Sequence, residues 1–553
     1  MNKTIIVGGV AGGATAAARL RRLDESAEIV LFERGGYISF ANCGLPYYIG
    51  GRIAERGKLL LQTPESFRRR FNVDVRVNAE VISIERAAKT VSVKHTLTGE
   101  EYTESYDKLI LSPGGAPVRP PVEGFDLPGV FTLRSIEDAD RIKAHIQRNQ
   151  PKSAVIAGGG NIGVEMAENL RRAGLSVSIV ELSGQVLASL DYDMACDIHR
   201  HLEQNDVRLY LNNEIRKVSE RAGGLRAHLR DERLDADLMI LAVGVTPDSK
   251  LARDAGLDIN ERGGIVTDRH MRASDEHIYA VGDAVETTDF VTGIKSLIPL
   301  ASPANKQARV AADNICGVPS EYDGSQGSVI LKAFDMTAAA TGVNEKTAKR
   351  LGLNYDKAFL WLPSHAGYYP GGAEMSIKVI YERDGGKILG AQIVGFDGVD
   401  KRCDAFAIAI RAGMTAYDLT WLELCYAPPY SSAKDPVNIA GYVIENLLEG
   451  RVKQFHWHDA DGLPRDGSVN LLDVRTASEA ADGGIEGFVN IPLDSLRDHV
   501  EELDKTKPAY IYCHSGTRSY IAARILSQNG FDAYNLSGGY RLYRGATGRF
   551  LES

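Results

Sequence analysis

The chain has 553 residues, too many for one hydrophobic core, so about three or four domains are expected. Its formal net charge of −9 argues against a general nucleic-acid-binding protein, because such proteins carry a basic excess. Apolar residues make up 44% and charged residues 25%, as in an ordinary soluble protein. No uncharged apolar stretch reaches about 18 residues, so no membrane span is expected.

The N-terminal residues run directly into a strand pattern and leave no room for a signal peptide. The six cysteines are widely spaced and include no CxxC pair. That spacing predicts neither a disulfide framework nor a metal site, so a reduced, cytoplasmic protein is expected.

The first organised segment is a strand, a glycine-rich turn, an alanine-rich helix and a second strand. The β-branched run Ile5–Val7 leads into the glycines, and the second strand, Glu28–Phe32, ends at Glu33. Glycines in this turn let the backbone approach a pyrophosphate, and the acidic residue can bind a ribose hydroxyl. Val10 occupies the place of the middle glycine in G-x-G-x-x-G. The pattern predicts a dinucleotide site with that one departure.

A second copy of this pattern begins about 150 residues later. Gly158, Gly160 and Gly163 stand in full G-x-G-x-x-G register, and the strand Ser176–Val180 ends at Glu181. Two such units predict two nucleotide cofactors that exchange a hydride. Glu181 would repel a 2′-phosphate, which favours NADH. Two arginines on the intervening helix, at positions 171 and 172, leave NADPH open.

Short glycine-rich segments punctuate the remaining sequence at 109–120, 241–249 ("LAVGVTPDS") and 277–286 ("HIYAVGDAVE"). Over about residues 1–450, these segments and the two fingerprints together resemble the flavoprotein disulfide reductases with two dinucleotide-binding domains. The resemblance implies FAD at the first fingerprint, NAD(P)H at the second, and Asp283 on the flavin ribityl chain. The cofactor-binding residues that it implies are Gly8, Val10, Ala11, Gly12, Gly13, Glu33, Arg34, Asn42, Ser112, Pro113, Gly114, Gly158, Gly160, Asn161, Ile162, Gly163, Glu181, Gly244, Gly282, Asp283, Pro299, Leu300 and Ala301.

One cysteine, Cys43, lies within the segment "SFANCGLPYY" at 39–48. Most of those reductases carry two cysteines here, which form a redox disulfide. This segment has only one cysteine, so no local disulfide can form in it. The single-cysteine pattern resembles the branch that contains coenzyme A-disulfide reductase, NADH peroxidase and NADH oxidase. The resemblance implies that Cys43 lies beside the flavin and acts as the nucleophile. Because the thiolate is the attacking form, we expect its pKa to be lowered by a helix N-terminus and by the flavin.

Three polar residues share one face of the first helix, since Thr15, Arg19 and Arg22 are spaced at i, i+4 and i+7. Such a stripe can simply be a solvated face. Its place beside the Cys43 loop instead favours a substrate site, as in coenzyme A-disulfide reductases. The substrate-binding residues that this resemblance implies are Thr15, Arg19, Arg22, Ser39, Phe40, Asn42, Tyr368 and Tyr426.

Residues from about 325 to 447 read as a separate α+β unit that resembles the dimerisation domain of this class. Tyr368 and Tyr426 match tyrosines that cross the dimer to the catalytic thiol and can protonate a leaving thiolate. Tyr369 and Tyr430 are close enough in sequence to exchange roles with them. A homodimer is expected, with active sites completed across the interface.

A polar stretch after residue 449 introduces a further unit. A strand delivers Cys513 into a short loop, and a helix begins near Arg518, which builds an anion cradle from backbone N–H groups. Four residues separate Cys513 from Arg518, whereas cysteine phosphatases have five residues between the corresponding cysteine and arginine. The shorter loop resembles a rhodanese, whose cysteine carries a persulfide. Gly484 stands where that family usually has a histidine.

The predicted fold class is α/β, with two Rossmann-like FAD/NAD(P)-binding domains, an α+β dimerisation domain and a C-terminal α/β rhodanese domain. The predicted boundaries are 1–112 and 246–322 for the FAD-binding domain, 113–245 for the NAD(P)H-binding domain, 323–450 for the dimerisation domain, 451–462 for a linker and 463–553 for the rhodanese domain.

The predicted function is reduction of coenzyme A disulfide, coenzyme A persulfide or polysulfide by NADH through FAD and Cys43. Cys513 would carry sulfur with the help of Arg518. Two other interpretations stay open: an NADH oxidase or peroxidase of the same branch, and a low-turnover sulfur carrier or redox sensor. The expected partners are small thiol and sulfur compounds, with no nucleic acid and no membrane.

Overall fold

A computed structural model describes residues 3–548. The chain divides into two compact units, Met1–Val186 with Asp206–Gly327, and Leu187–Asn205 with Ser328–Ser553. The predicted domain limits at residues 1 and 553 lie outside the described residues. Within 3–548 no helix has both the length and the hydropathy to cross a membrane.

The first unit contains a five-stranded parallel sheet built on the first fingerprint. Its order is Ile278–Ala280, Lys108–Leu111, Lys3–Val7, Glu28–Glu33 and Asp74–Val77. The helix Ala11–Leu23 follows the central strand and packs against Ala301–Ile315. Small alanines on the buried face of Ala11–Leu23 let the two helices approach closely. The sheet therefore presents the glycine turn at the carboxyl end of its central strand, where open α/β sheets bind ligands.

The second fingerprint builds a second five-stranded parallel sheet. Its order is Val207–Tyr210, Ser176–Val180, Ser153–Ala157, Leu238–Leu241 and Val130–Thr132. The helix Asn161–Arg172 follows its central strand.

The remaining elements of this unit are short and lie around the two sheets. Its other strands are Ala79–Glu85, Thr90–His95, Glu101–Ser105, Gly115–Pro117, Lys217–Arg221, Gly224–His228, Arg233–Ala236, Val245–Pro247, Thr287–Thr288 and Lys295–Ser296. Its other helices are Asn42–Gly44, Leu45–Ile49, Arg56–Leu59, Pro64–Phe71, Ile136–Asn149 and Lys250–Asp254.

The second unit contains an antiparallel sheet. Its order is Val329–Ala333, Met336–Gly342, Ile388–Gly395, Glu374–Glu382 and Tyr355–Pro363. The helices of this part are Tyr192–Gln204, Glu345–Leu351, Val399–Arg411, Ala416–Thr420 and Pro436–Leu448. The helix Tyr192–Gln204 groups with this unit, whereas the predicted NAD(P)H-binding domain over 113–245 includes it, and that boundary stays a prediction.

A buried ion cluster holds that helix to the antiparallel sheet. Lys378 is fully buried, and its Nζ lies 3.1, 3.0 and 2.7 Å from carboxylate oxygens of Asp191, Asp193 and Glu345. The indole N–H of Trp457 also donates to Asp193, at 3.3 Å. These contacts give the physical reason why residues 187–205 pack with the C-terminal half of the chain.

The last part of the second unit is a parallel sheet with the order Lys453–Phe455, Ala533–Leu536, Ala509–Tyr512, Asn470–Asp473 and Val489–Asn490. Its helices are Trp457–Ala460, Ala477–Ala481, Leu496–His499, Val500–Glu502, Thr517–Gln528 and Gly539–Ala546. The predicted linker 451–462 is wrong, because Lys453–Phe455 is the edge strand of this sheet.

Candidate functional site

The first glycine turn has the geometry of a phosphate cradle. Gly8 has φ +97°, and a Cβ there would overlap the carbonyl oxygen of Ser112. A Cβ on Gly13 would overlap the carbonyl oxygen of Gly8. Val10 stands just before the helix and does not prevent it from starting at residue 11. The turn therefore leads directly into the N-terminus of the helix Ala11–Leu23, whose first backbone N–H groups have no partner within the helix and can bind an anionic ligand.

Glu33 is held in position by the backbone. Its two carboxylate oxygens accept hydrogen bonds from the N–H groups of Gly9 and Gly35, both at 2.8 Å. A carboxylate fixed at the end of this strand can still accept from ribose hydroxyls.

A cavity of about 1020 Å³ opens over this turn. Most of the predicted cofactor-binding residues outside the second fingerprint line it, and the exceptions are Gly13, Gly244 and Leu300. The wall also includes Cys43 and four of the predicted substrate residues. These four are Thr15, Ser39, Phe40 and Asn42. The glycine cradle, the fixed Glu33 and a cavity of this size fit a bound dinucleotide such as FAD.

Cys43 lies in the short helix Asn42–Gly44 at the wall of this cavity. The surrounding protein raises the pKa of its thiol, first through burial and then through the charge of Glu165, while Arg134 opposes the shift. The protein's own groups therefore act in the direction opposite to the predicted lowering of this pKa, and the predicted contribution of the flavin stays a prediction. The helix that follows, Leu45–Ile49, has only five residues and does not offset the nearby carboxylates.

Glu165 is a site residue that the sequence reasoning missed. Burial raises its pKa to about 7; the hydroxyl of Tyr47, which donates to it at 3.2 Å, opposes this shift, and Glu168 reinforces it. Its only sequence signal is an acidic residue inside the fingerprint helix Asn161–Arg172, which does not reveal the approach to Cys43. The charge of this carboxyl group acts on the thiol of Cys43 and opposes its ionisation.

Replacing Glu165 with glutamine is expected to lower the pKa of Cys43, because it removes a negative charge that opposes thiolate formation. The pH profile of iodoacetamide alkylation at Cys43, followed by mass spectrometry of its peptide, should shift to lower pH. The control Glu55→Gln removes an exposed carboxylate of the same unit and should leave the profile in place. An unshifted profile for Glu165→Gln would show that the two groups do not interact.

Asp283 was predicted to hold the flavin ribityl chain. Its carboxylate lines the cavity and pairs with Arg134 at 2.7 Å. Arg134 was not predicted, because it comes from a loop about 150 residues away with no motif of its own. The pair fixes the carboxylate at the cavity wall.

The second glycine turn repeats the first. Gly158 has φ +102°, and a Cβ there would lie 2.5 Å from the carbonyl oxygen of Ala242. Glu181 accepts from the N–H of Gly159 at 2.7 Å and from the N–H and hydroxyl of Ser183, both at 2.8 Å. The helix begins at Asn161 and includes the predicted residues Ile162 and Gly163. This arrangement fits a second dinucleotide, with Glu181 set to meet its ribose.

The polar stripe on the first helix is only partly at the cavity. Thr15 lines it and donates to Asn305 at 2.9 Å. Arg19 does not line it and pairs with Asp313 at 2.6 Å, while the Arg22 guanidinium lies over the ring of Phe71. In this structure Arg19 is therefore neutralised by a buried carboxylate, which sequence spacing cannot show.

The predicted tyrosines lie together in the second unit. The hydroxyls of Tyr368 and Tyr426 are 2.9 Å apart, and the two side chains are 74% and 48% exposed. Tyr369 and Tyr430 are also exposed. Their approach to a thiol across a dimer stays a prediction.

The Cys513 loop forms a cradle around a buried sulfur. The backbone N–H of Gly516 and the hydroxyl of Ser519 donate to its Sγ at 3.1 and 3.2 Å. A Cβ on Gly484 would lie 2.8 Å from the hydroxyl of Tyr512, so the usual histidine does not fit there without a shift. The N–H groups of the loop suit a bound sulfur anion.

Three segments of the chain match known families. Residues 2–308 match the pyridine nucleotide-disulphide oxidoreductases, 330–436 their dimerisation domain, and 457–546 the rhodanese-like domain. The chain belongs to the pyridine nucleotide-disulphide oxidoreductase family. The predicted fold class and the predicted family resemblance are confirmed.

Two curated relatives cover most of the chain. A coenzyme A disulfide reductase of Staphylococcus haemolyticus is 37% identical over 448 residues, which is 81% of this chain and 100% of the relative. A protein of Methanocaldococcus jannaschii named NADH oxidase is 36% identical, over 79% of this chain and 97% of its own.

Two solved structures cover nearly the whole chain, including its C-terminal domain. The reduced CoADR-RHD of Bacillus anthracis is 49% identical with a TM-score of 0.97, over 99% of this chain and 98% of its own. An NAD-dependent persulfide reductase from A. fulgidus is 37% identical with a TM-score of 0.92, over 98% of this chain and 100% of its own.

Proposed function

We propose that the protein reduces coenzyme A disulfide, coenzyme A persulfide or polysulfide with electrons from NADH, using FAD and the single thiol of Cys43. The observation that carries this proposal is a lone cysteine in the wall of the cavity formed by the first fingerprint. The second thiol, Cys513, in its own anion cradle supports a sulfur compound as substrate rather than oxygen. The two solved structures that extend over this C-terminal domain are named CoADR-RHD and NAD-dependent persulfide reductase, and both names agree with the proposal.

We propose that the first turn and Glu33 bind FAD, and the second turn and Glu181 bind the nicotinamide nucleotide. Together these groups supply two electrons and a proton when bound. In the chain's own chemistry, the Cys43 thiolate attacks one sulfur of R–S–S–R, forms Cys43–S–S–R and expels R–S⁻. We propose that Tyr368 and Tyr426 of the partner subunit protonate that leaving thiolate in a homodimer.

NADH is the proposed nucleotide because the fixed Glu181 carboxylate would repel a 2′-phosphate. Replacing Glu181 with alanine is expected to reduce a preference for NADH by about tenfold or more, which is about 1.4 kcal/mol. The measurement is the ratio of kcat/KM for NADH to that for NADPH. Glu33 is proposed to bind FAD, so Glu33→Ala is not a usable control. Glu203→Ala, which lies outside both fingerprints, serves as the control instead. A parent enzyme that prefers NADPH would contradict this role of Glu181.

We propose that Cys513 carries sulfur to or from Cys43 by way of a diffusible thiol. The strand Lys453–Phe455 pairs with Ala533–Leu536, so the Cys513 domain is not carried on a free linker. The thiol arm of coenzyme A can carry sulfur instead.

All six cysteines are free, which supports a reducing compartment such as the cytoplasm.

Cys513→Ser is expected to leave turnover of coenzyme A disulfide within about twofold, because that step needs only Cys43. The same change should impair use of polysulfide that first loads Cys513. NADH consumption with each substrate measures both effects, and Cys425→Ser serves as a control for loss of a different thiol. If Cys513→Ser uses every sulfur substrate as well as the parent enzyme does, Cys513 takes no part in the reaction.

A further inference from the structure

The arginine of the Cys513 loop is neutralised by a carboxylate. Arg518 Nη1 and Nη2 lie 2.6 and 2.7 Å from the two carboxylate oxygens of Glu479. Glu479 also accepts a hydrogen bond from the backbone N–H of Thr476 at 2.9 Å, at the start of the helix Ala477–Ala481. Glu479 is thus held by its own helix, and its pairing with Arg518 is not a chance surface contact.

The other arginines around this loop are paired in the same way. Arg541 donates its backbone N–H to the carbonyl of His514 in the loop, and its guanidinium pairs with Glu374 at 2.8 Å. Arg475 pairs with Asp473 at 2.7 Å, and both are buried. Burial, and then Arg541, lower the pKa of His514, which favours the neutral form of its imidazole.

Two neutral donors face the sulfur, the Gly516 N–H and the Ser519 hydroxyl, and the Arg518 guanidinium, which also interacts with the sulfur, is paired with Glu479. With that charge balanced, the cradle stabilises the single negative charge of a thiolate or persulfide. It offers little compensation to a dianion, because each nearby guanidinium charge is already balanced by a carboxylate.

We propose that Glu479 determines the specificity of the Cys513 site. By neutralising Arg518, it selects low-molecular-weight persulfides, R–S–SH, over the dianion thiosulfate as sulfur donors. This inference rests on the proposed sulfur-carrying role of Cys513.

The two donors differ in the charge that the site must accommodate. With a persulfide, the Cys513 thiolate attacks the outer sulfur, a new S–S bond to Cys513 forms, the S–S bond of the donor breaks, and R–S⁻ leaves. The products are Cys513–S–SH and R–S⁻, so the total charge stays at −1. With thiosulfate, the same attack gives Cys513–S–S⁻ and sulfite, and the total charge is −3 throughout. The second route brings a monoanion against a dianion, and the three arginines described around the loop are already paired with carboxylates.

The test uses the full chain, glutathione persulfide or thiosulfate as donor, and cyanide as acceptor, with thiocyanate formation as the readout. Cys513→Ser defines the background. Glu479→Gln is expected to raise kcat/KM for thiosulfate by at least about tenfold, or about 1.4 kcal/mol, since it frees the charge of Arg518. The value for glutathione persulfide should change by less than about threefold. Such a gain of activity would not come from misfolding.

Two further variants separate charge from structure. Glu479→Asp keeps the charge and should stay close to the parent enzyme. Glu501→Gln removes an exposed carboxylate that pairs with Lys505 in the same domain. It should leave kcat/KM for both donors unchanged. If Glu479→Gln still uses glutathione persulfide but gains nothing with thiosulfate, the inference is overturned. If the parent enzyme forms no thiocyanate above background from either donor, the sulfur-carrying role of Cys513 is itself wrong, and the inference falls with it.

Discussion

Cys43→Ser is expected to lower turnover of coenzyme A disulfide by roughly 10³-fold or more, because a serine hydroxyl cannot attack and then leave a disulfide sulfur as a thiolate does. Flavin binding should persist, since the first glycine turn and Glu33 do not involve the thiol. Reduction of the bound flavin by NADH should persist for the same reason. The measurements are steady-state turnover, the flavin absorbance spectrum, and its bleaching by NADH under anaerobic conditions.

The matched control is Cys316→Ser, a partly buried thiol in the same unit outside the cavity wall. It should behave like the parent enzyme in all three measurements. Retained turnover in Cys43→Ser would place the chemistry elsewhere. Loss of flavin in that variant would mean that the cavity wall was disturbed, and the thiol could then be tested by alkylation of the parent enzyme.

Lys378→Met is expected to destabilise the second unit by about 3–5 kcal/mol, because it leaves buried carboxylates without their cation. Burial alone would lower the pKa of Lys378, but Asp193, Asp191 and Glu345 more than offset it and raise that pKa. The lysine therefore stays charged in the folded protein. Urea unfolding followed by circular dichroism measures the loss.

The control for this change is Lys349→Met, which removes an exposed lysine that also pairs with Glu345, at 2.9 Å. It should cost about 1 kcal/mol or less. Burial would raise the pKa of Glu345, but Lys378 and then Lys349 lower it on balance. Its stabilising contribution is therefore present above its ordinary pKa and lost as the pH falls through the folded value. Equal stability of the two variants would contradict this account of the cluster.

Local sequence patterns predicted the parts of the fold that local chemistry dictates. The glycine turns at Gly8 and Gly158 need positive φ and leave no room for a side chain, so their positions could be read directly. The strand Lys453–Phe455 could not, because three residues carry no periodicity and its stability comes from pairing with residues about 80 positions later. The packing of the helix Tyr192–Gln204 with the second unit could not be predicted for a similar reason, since its partner Lys378 is far away in sequence.

The candidate site shows the same division. Cys43 and Cys513 were found because each stands in a short, recognisable frame of residues. Glu165, Arg134 and Glu479 were missed, because their roles depend on burial and on partners brought close only by folding. The direction of the Cys43 pKa also followed first from burial and then from the charge of Glu165, neither of which its local sequence shows.

The measurement that tests the central claim most directly is anaerobic NADH oxidation by the purified parent enzyme with coenzyme A disulfide, coenzyme A persulfide or polysulfide, compared with aerobic NADH oxidation without any thiol. We expect kcat/KM for the best sulfur substrate to exceed that for oxygen by roughly 100-fold or more. Rapid NADH oxidation by oxygen or peroxide alone, with slow turnover of all three sulfur substrates, would contradict the account and favour an oxidase or peroxidase.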